Sequence, residues 1–406
     1  MRLAFLLVGL SACTFARANP LDALESGGKA TCSTDSTELS DVKAMSAGEH
    51  HACAVRAAGA VVCWGRNDTG ETGQAKAIPR TTPSVVRVGQ AQTAVYAGGT
   101  HTCSRAADGT FTCWGNKGFG QMGDGLPRTF DETPPTTFLA AGSPFVGTQC
   151  AAGMLNTYLV KGGAVYATGS NDFGQLGLDP SNAPDKVVLV AGVTGDKVVS
   201  HGTAKFACAV GADAVACWGF NDRNELGVAT TTFCGAGTGC SWQPVQPLPK
   251  AFKHPARDVA VGAHHACALD ATGALFCWGV ADAGQTGDTS TLPATWAVHS
   301  VPAMPVGHKL AAGVSHTCVV TESSEVWCMG SNADGELGPT VPLIASGGSP
   351  VPRKVPNLAG VSELAAGDGF TCAVSCGRVR CWGRNADGQL GAATVSADGF
   401  AHVGAP

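Results

Sequence analysis

Ala47-Gly48-Glu49-His50-His51-Ala52-Cys53-Ala54-Val55, a turn, and then Val62-Cys63-Trp64-Gly65-Arg66-Asn67-Asp68-Thr69-Gly70-Glu71-Thr72-Gly73 is the stretch whose reading decides the architecture. Its Cys-Trp-Gly step recurs at Cys113-Trp114-Gly115, Cys217-Trp218-Gly219, Cys277-Trp278-Gly279 and Cys381-Trp382-Gly383, with degenerate forms at Ala167-Thr168-Gly169 and Cys328-Met329-Gly330. The seven glycines fall at 65, 115, 169, 219, 279, 330 and 383, so the period is 50 to 60 residues. A fixed period of that size marks a repeat fold, in which each unit buries its apolar face against the next.

A nine-residue cassette follows each of these glycines, from Gly65 to Gly73 in the first unit and from Gly383 to Gly391 in the last. Its seventh place always holds Gln or Glu: Glu71, Gln121, Gln175, Glu225, Gln285, Glu336 and Gln389. Asn and Gly tolerate positive φ, so the cassette reads as a tight turn whose Gln or Glu satisfies backbone groups of the loop or of the next unit. The clustered oxygens of Asn332-Ala333-Asp334-Gly335-Glu336 would also suit calcium, but few cassettes carry enough carboxylates, and no metal is assigned.

A second cysteine stands nine or ten residues before each Cys-Trp-Gly cysteine, with turn residues such as Asp108-Gly109 between them. That is a β-hairpin. Directly opposed residues come close enough for a cross-strand bond, which predicts Cys53–Cys63, Cys103–Cys113, Cys208–Cys217, Cys267–Cys277, Cys318–Cys328 and Cys372–Cys381. In the third unit Tyr158 and Ala167 replace both partners together. Cys234 and Cys240 could close a short loop of their own; the pairing of Cys32, Cys150 and Cys376 stays open, one of them being left free or bonded to another chain.

These residues and cassettes resemble the regulator of chromosome condensation repeat, over nearly the whole chain from about Asp41 onwards. The resemblance implies an all-β, seven-bladed β-propeller closed by N- and C-terminal segments sharing one blade, with Phe400-Ala401-His402-Val403 placed to supply the last strand. Independently of the resemblance, four-stranded units stacked in a ring would bury the sheet faces that each alone exposes. The founding activity of the family, nucleotide exchange on a small GTPase at chromatin, fits this chain poorly, and a fold does not fix a function. Exported members of the same propeller type include an enzyme inhibitor that grips its target through one propeller face, which is the better analogue.

The 406 residues carry 26 Lys and Arg against 31 Asp and Glu, a net charge of -5 that gives no reason for a nucleic-acid or anionic-membrane partner. The 18 cysteines point to an oxidising compartment. Arg2 and the apolar run Leu3 to Leu10 have the layout of a secretory signal peptide. Two cleavage readings stand side by side. Ala16-Arg17-Ala18 suits an ordinary signal peptidase, giving a signal over 1–18, whereas Leu10-Ser11-Ala12-Cys13 resembles a lipoprotein box with a signal over 1–12 and lipidation of Cys13. A linker is read over 19–40 and the propeller over 41–406.

No Gly-x-Ser-x-Gly elbow, His-Glu-x-x-His helix or phosphate loop occurs, so no enzyme activity and no cofactor is assigned. His51, His101, His265 and His316 share one repeat position with Asn156, Phe206 and Phe370; the phenylalanines mark it as a packing position. Departures from the repeat are more informative about partners, because binding residues sit on loops carried by a rigid scaffold. Phe233 and Trp242 flank the Cys234/Cys240 loop in the longest interval and, with Trp296, are the candidate binding residues. The expectation is an extracytoplasmic protein-interaction scaffold, secreted or held at the cell envelope with a lipid anchor as its one membrane attachment, and an inhibitor of a secreted or periplasmic enzyme as the specific role. The alternative is a lectin-like propeller that binds polysaccharide or the cell envelope; exchange-factor or enzyme activity ranks below both.

Overall fold

A computed structural model describes residues 37–406 apart from 76–79, 126–131, 183–185, 212–213, 230–232, 235–237, 246–254, 290–296, 345–347 and 359. Each repeat becomes one antiparallel sheet, in six of them with the strands in chain order, and a separate two-stranded ladder of Leu139–Ala140 with Ser143–Pro144 lies between blades two and three. Blade one runs Val42–Ala47, His51–Arg56, Val61–Gly65 and Arg80–Val86, and blade seven runs Val361–Ala366, Phe370–Ser375, Arg378–Gly383 and Ala401–His402. Blade four has a fifth strand, Phe233–Cys234, paired outside Thr238–Val245. The first strand of each blade packs on the first strands of its two neighbours, and blade one meets blade seven, so the ring closes into a seven-bladed propeller.

The Cys-Trp-Gly step accounts for this packing. Each cysteine faces its partner directly across the hairpin, with the Cα atoms of all six pairs 4.0 to 4.1 Å apart. Such close approach belongs to directly opposed pairs without mutual hydrogen bonds, where side chains come nearest. In blade three Tyr158 lies opposite Ala167, and its ring meets Trp218 of blade four edge-on at 5.9 Å. The step needs glycine twice over, because its φ is positive and because a Cβ there would strike the carbonyl of the adjoining loop; at Gly219 the obstacle is Lys205 O, 2.6 Å away.

The tryptophan joins blades. Trp114 Nε1 donates to Glu71 O of the preceding cassette at 2.8 Å, and Trp218, Trp278 and Trp382 do the same to Gln175, Glu225 and Glu336. Trp64 donates to Gln389 O, which carries the pattern from the last blade to the first. Within every cassette the seventh side chain accepts the backbone N–H two residues earlier, as Gln175 Oε1 does from Phe173. Asn332 Oδ1 accepts from Leu337 N–H, and the two oxygens of Glu336 accept from Ser331 Oγ and Asp334 N–H, so these three oxygens serve the turn.

The shared histidine position is structural in a specific way. His51 Nε2 meets Thr102 Oγ1 of the next blade at 2.8 Å, and His101, His265 and His316 meet Thr157, Thr317 and Thr371. Thr102, Thr157 and Thr317 in turn donate to cassette carbonyls, so their oxygens accept from the imidazole N–H. All four rings are fully buried, and burial drives their pKa values down to about 3 or 4. They are neutral links between blades.

Thr37–Leu39, which the sequence reading left in the linker, pair with the C-terminal segment: Leu39 N–H donates to Val403 O and Ala405 N–H to Thr37 O. Both chain ends therefore share the closing blade. Glu38 is buried there and accepts from Arg380 Nη2 at 2.9 Å, Arg378 Nη1 at 3.3 Å and His402 Nδ1 at 2.7 Å.

Candidate functional site

Because strands alternate in direction, the loops joining first to second strands emerge at the same end of the ring as the cassettes. The second-to-third hairpins occupy the other end. The repeat is broken at both ends: at the hairpin end by the short ladder of Leu139–Ala140 with Ser143–Pro144, bridged to the blade-two turn through Val146 and Thr110, and at the cassette end in blade four. In blade four the loop between Lys197–Val199 and Phe206–Val210 is two residues longer than its counterpart between Val42–Ala47 and His51–Arg56, judged by equivalent pairings across each hairpin. The extra length carries His201-Gly202 inward. A Cβ on Gly202 would meet Glu49 N of blade one at 2.6 Å and Gly98 O of blade two at 2.9 Å, so this loop spans the mouth of the ring. His201 is buried, accepts from Thr203 N–H, and has its pKa pushed down to about 4 by that burial.

Two chemically distinct arcs surround this plug. On blades seven and one, Arg66 pairs with Glu49 at 3.1 Å and Glu71 at 3.3 Å, Arg384 pairs with Asp368 at 2.8 Å, and His50 lies 3.4 Å from both Glu49 and Asp387. Burial alone would raise Glu49, but His50 and Arg66 outweigh it and hold its carboxyl below the ordinary range. At Asp368 burial wins over His50 and Arg384, and the carboxyl is raised.

On blades three to five the arc is aromatic and cationic. Phe173 from the blade-three cassette meets Phe220 of blade four edge-on at 5.1 Å, and Lys205 Nζ lies 4.7 Å from the Phe173 centroid and 5.7 Å from that of Phe220. Phe220 also contacts His264 of blade five at 6.0 Å, and His264 Nδ1 lies 3.0 Å from Glu225 Oε1. Lys205 donates nothing to a carboxylate among the described residues, whereas Lys197, Lys309 and Lys354 each have one.

Of the candidate binding residues, Trp242 lies on this face. It is half-buried, and its backbone packs against Gly174 of the blade-three cassette, where a Cβ would meet Trp242 Cβ at 2.7 Å. Cys234 and Cys240 are joined as a disulfide that ties the fifth strand to the fourth. Phe233 is the first residue of that fifth strand. Trp296 and Cys13 lie outside the described residues. Among the described cysteines Cys150 is free and buried, while Cys376 is disulfide-bonded to a partner outside them. Lys205, Phe173, Phe220 and His201 escaped the sequence reading, although the two extra residues and the one lysine in a position held elsewhere by His50, Thr100, Leu155, His264, Ser315 and Gly369 are visible once the units are aligned.

Comparison with known families places the model of the regulator of chromosome condensation repeat on residues 42–71, 256–285 and 308–336, within blades one, five and six. These three segments match the family's repeat. The chain is 31% identical to the human probable E3 ubiquitin-protein ligase HERC4 over 192 residues, 46% of this chain but only 17% of that protein. It is 29% identical to the human E3 ubiquitin-protein ligase HERC2 over 234 residues, 5% of that protein. Among solved structures it is similar to yeast RCC1 (Prp20) in complex with Kap60, with a TM-score of 0.69 and 18% identity over 98% of this chain and 90% of that one. Human WBSCR16 superposes with a TM-score of 0.67 and 17% identity over 85% of this chain and 94% of that one. At such identities the shared property is the propeller fold. Prp20p of Saccharomyces cerevisiae is itself described with binding to Gsp1p and histones.

Proposed function

We propose that this propeller is an exported scaffold that binds another protein through its cassette face, without catalysis, and that its specific role is inhibition of a secreted or periplasmic enzyme. The observation that carries the reading is what gathers at the cassette end: the spanning loop of blade four, the Cys234–Cys240 clip beside Trp242, and the aromatic arc around Lys205; the hairpin end carries one irregular feature of its own, the short ladder of Leu139–Ala140 with Ser143–Pro144. Rigid, partly buried aromatics beside a constrained loop make effective interface anchors, because little side-chain entropy is lost on binding. Seven disulfides among the described residues suit an oxidising compartment. Protein binding by the similar yeast Prp20p supports the same class of partner.

The test is capture from culture medium and cell envelope on oxidised, immobilised protein, repeated with Trp242→Ala on the cassette face and Ala271→Glu on the hairpin face. The reading expects a saturable protein that is weakened by the first change and indifferent to the second. Retention of polysaccharide alone would favour the lectin alternative.

A further inference from the structure

We propose that Lys205, with the rings of Phe173 and Phe220, is the seat for a single Asp or Glu carboxylate of the bound protein, with an apolar side chain beside it resting on the rings. This rests on the cassette face being the protein-binding face. Three observations lead to it.

The ammonium is held in place before any partner arrives: two phenyl rings flank it at 4.7 and 5.7 Å, its side chain is half-buried, and its backbone carbonyl accepts Phe220 N–H at 3.0 Å. Ring contact of this kind fixes a lysine without neutralising it. The charge is also uncompensated. Of the carboxylates on these cassettes, Glu225 accepts from Arg223 N–H and lies against His264, Asp172 accepts from Ser170, Asp222 accepts from Gly239 N–H and Asp282 pairs with Arg223, and none pairs with Lys205 among the described residues, whereas the cationic groups of the opposite arc each have an acid. Finally, the chain as a whole carries a charge of -5, so a polyacidic partner would be repelled at long range. One carboxylate recognised at contact distance, next to apolar surface, is the chemistry that fits. An ammonium suits it as a compact point charge.

The probes are the N-acetylated, C-amidated tripeptides Phe-Asp-Phe and Phe-Asn-Phe and the sugar acid glucuronate, titrated by NMR against wild type, Lys205→Met and Lys205→Arg. The methionine keeps the apolar stem, so the rings stay packed. The proposal expects the aspartyl peptide to bind about tenfold more tightly than the asparaginyl one, this preference to vanish in Lys205→Met, and Lys205→Arg to retain part of it. Equal binding of the two peptides, binding of neither, an unchanged preference in Lys205→Met, or tighter binding of glucuronate would each overturn it. If the peptides fail while a captured protein is still weakened by Trp242→Ala, the carboxylate seat falls and the protein-binding reading stands. If the captured protein ignores both substitutions, both fall.

Discussion

Trp114 Nε1 donates to the backbone carbonyl of Glu71, 43 residues earlier and one blade away, at 2.8 Å, and the same carbonyl accepts from Thr102 Oγ1 at 2.9 Å. One residue thus terminates a cassette with its side chain and anchors the next blade with its backbone. Trp114→Phe removes one of two donors to that carbonyl and some volume, so a loss of about 1–2 kcal/mol is expected in denaturant titration. Trp114→Ala, which leaves a cavity in a fully buried site, should cost about 3–5 kcal/mol. Equal stability of the two variants would contradict this packing role.

The hairpin disulfides close loops of ten residues or fewer, so each stabilises mainly by restricting the unfolded chain, by about 2–3 kcal/mol on the loop-entropy scale. Cys103→Ser is expected to lower the denaturation midpoint accordingly and to add one thiol, Cys113, to the count under denaturing conditions. An unchanged thiol count refutes the pairing.

Acidification should loosen the ring through its histidines. His51, His101, His201, His265 and His316 are held neutral by burial, with pKa values of about 3 to 4 against an ordinary value of 6.5. Below about pH 6.5 the unfolded chain takes up protons that the folded chain refuses, so stability is full above that pH and declines as pH falls towards 4, by up to about 1.4 kcal/mol per pH unit per histidine. The urea midpoint should therefore fall between pH 7 and pH 5. His101→Asn, which copies Asn156 in blade three, should make the slope shallower by one proton. A midpoint independent of pH over this range would contradict the buried neutral assignment.

The ring's seam depends on Glu38. Burial opposes its charge, but Arg380 and His402 outweigh it and hold the carboxyl below its ordinary 4.5. Its contribution is present above about pH 4.5 and disappears as pH drops through the lowered value. Glu38→Gln removes the charge shared by Arg378, Arg380 and His402 and replaces one of the two acceptor oxygens with an amide donor, and should cost about 3 kcal/mol. Faster amide exchange at Leu39 and Val403 would locate the loss at the seam; unaltered exchange there would place the closure elsewhere.

What the sequence made legible was what every repeat shares. The cassette, the paired cysteines and the hairpin between them are local, and seven copies fixed the period. The links between repeats were not legible, because His51 and Thr102, or Trp218 and Gln175, are neighbours only after blades stack. The candidate site was hidden for the same reason. Phe173 belongs to one unit, Lys205 and Phe220 to the next and His264 to a third, and only ring closure brings His201-Gly202 against Glu49 and Gly98. Trp242 stood out in the sequence because its loop interrupts the period, which is a signal along the chain.

The proposed function requires the cassette face, and not the hairpin face, to receive a protein. Hydrogen–deuterium exchange of the propeller with and without its captured partner tests this most directly. Protection is predicted for the backbone around Gly202, Lys205, Asp222 and Trp242, with none at the hairpin turns around Gly109, Gly162 and Gly273. Protection confined to those hairpin turns, or spread evenly over both ends, would contradict the account.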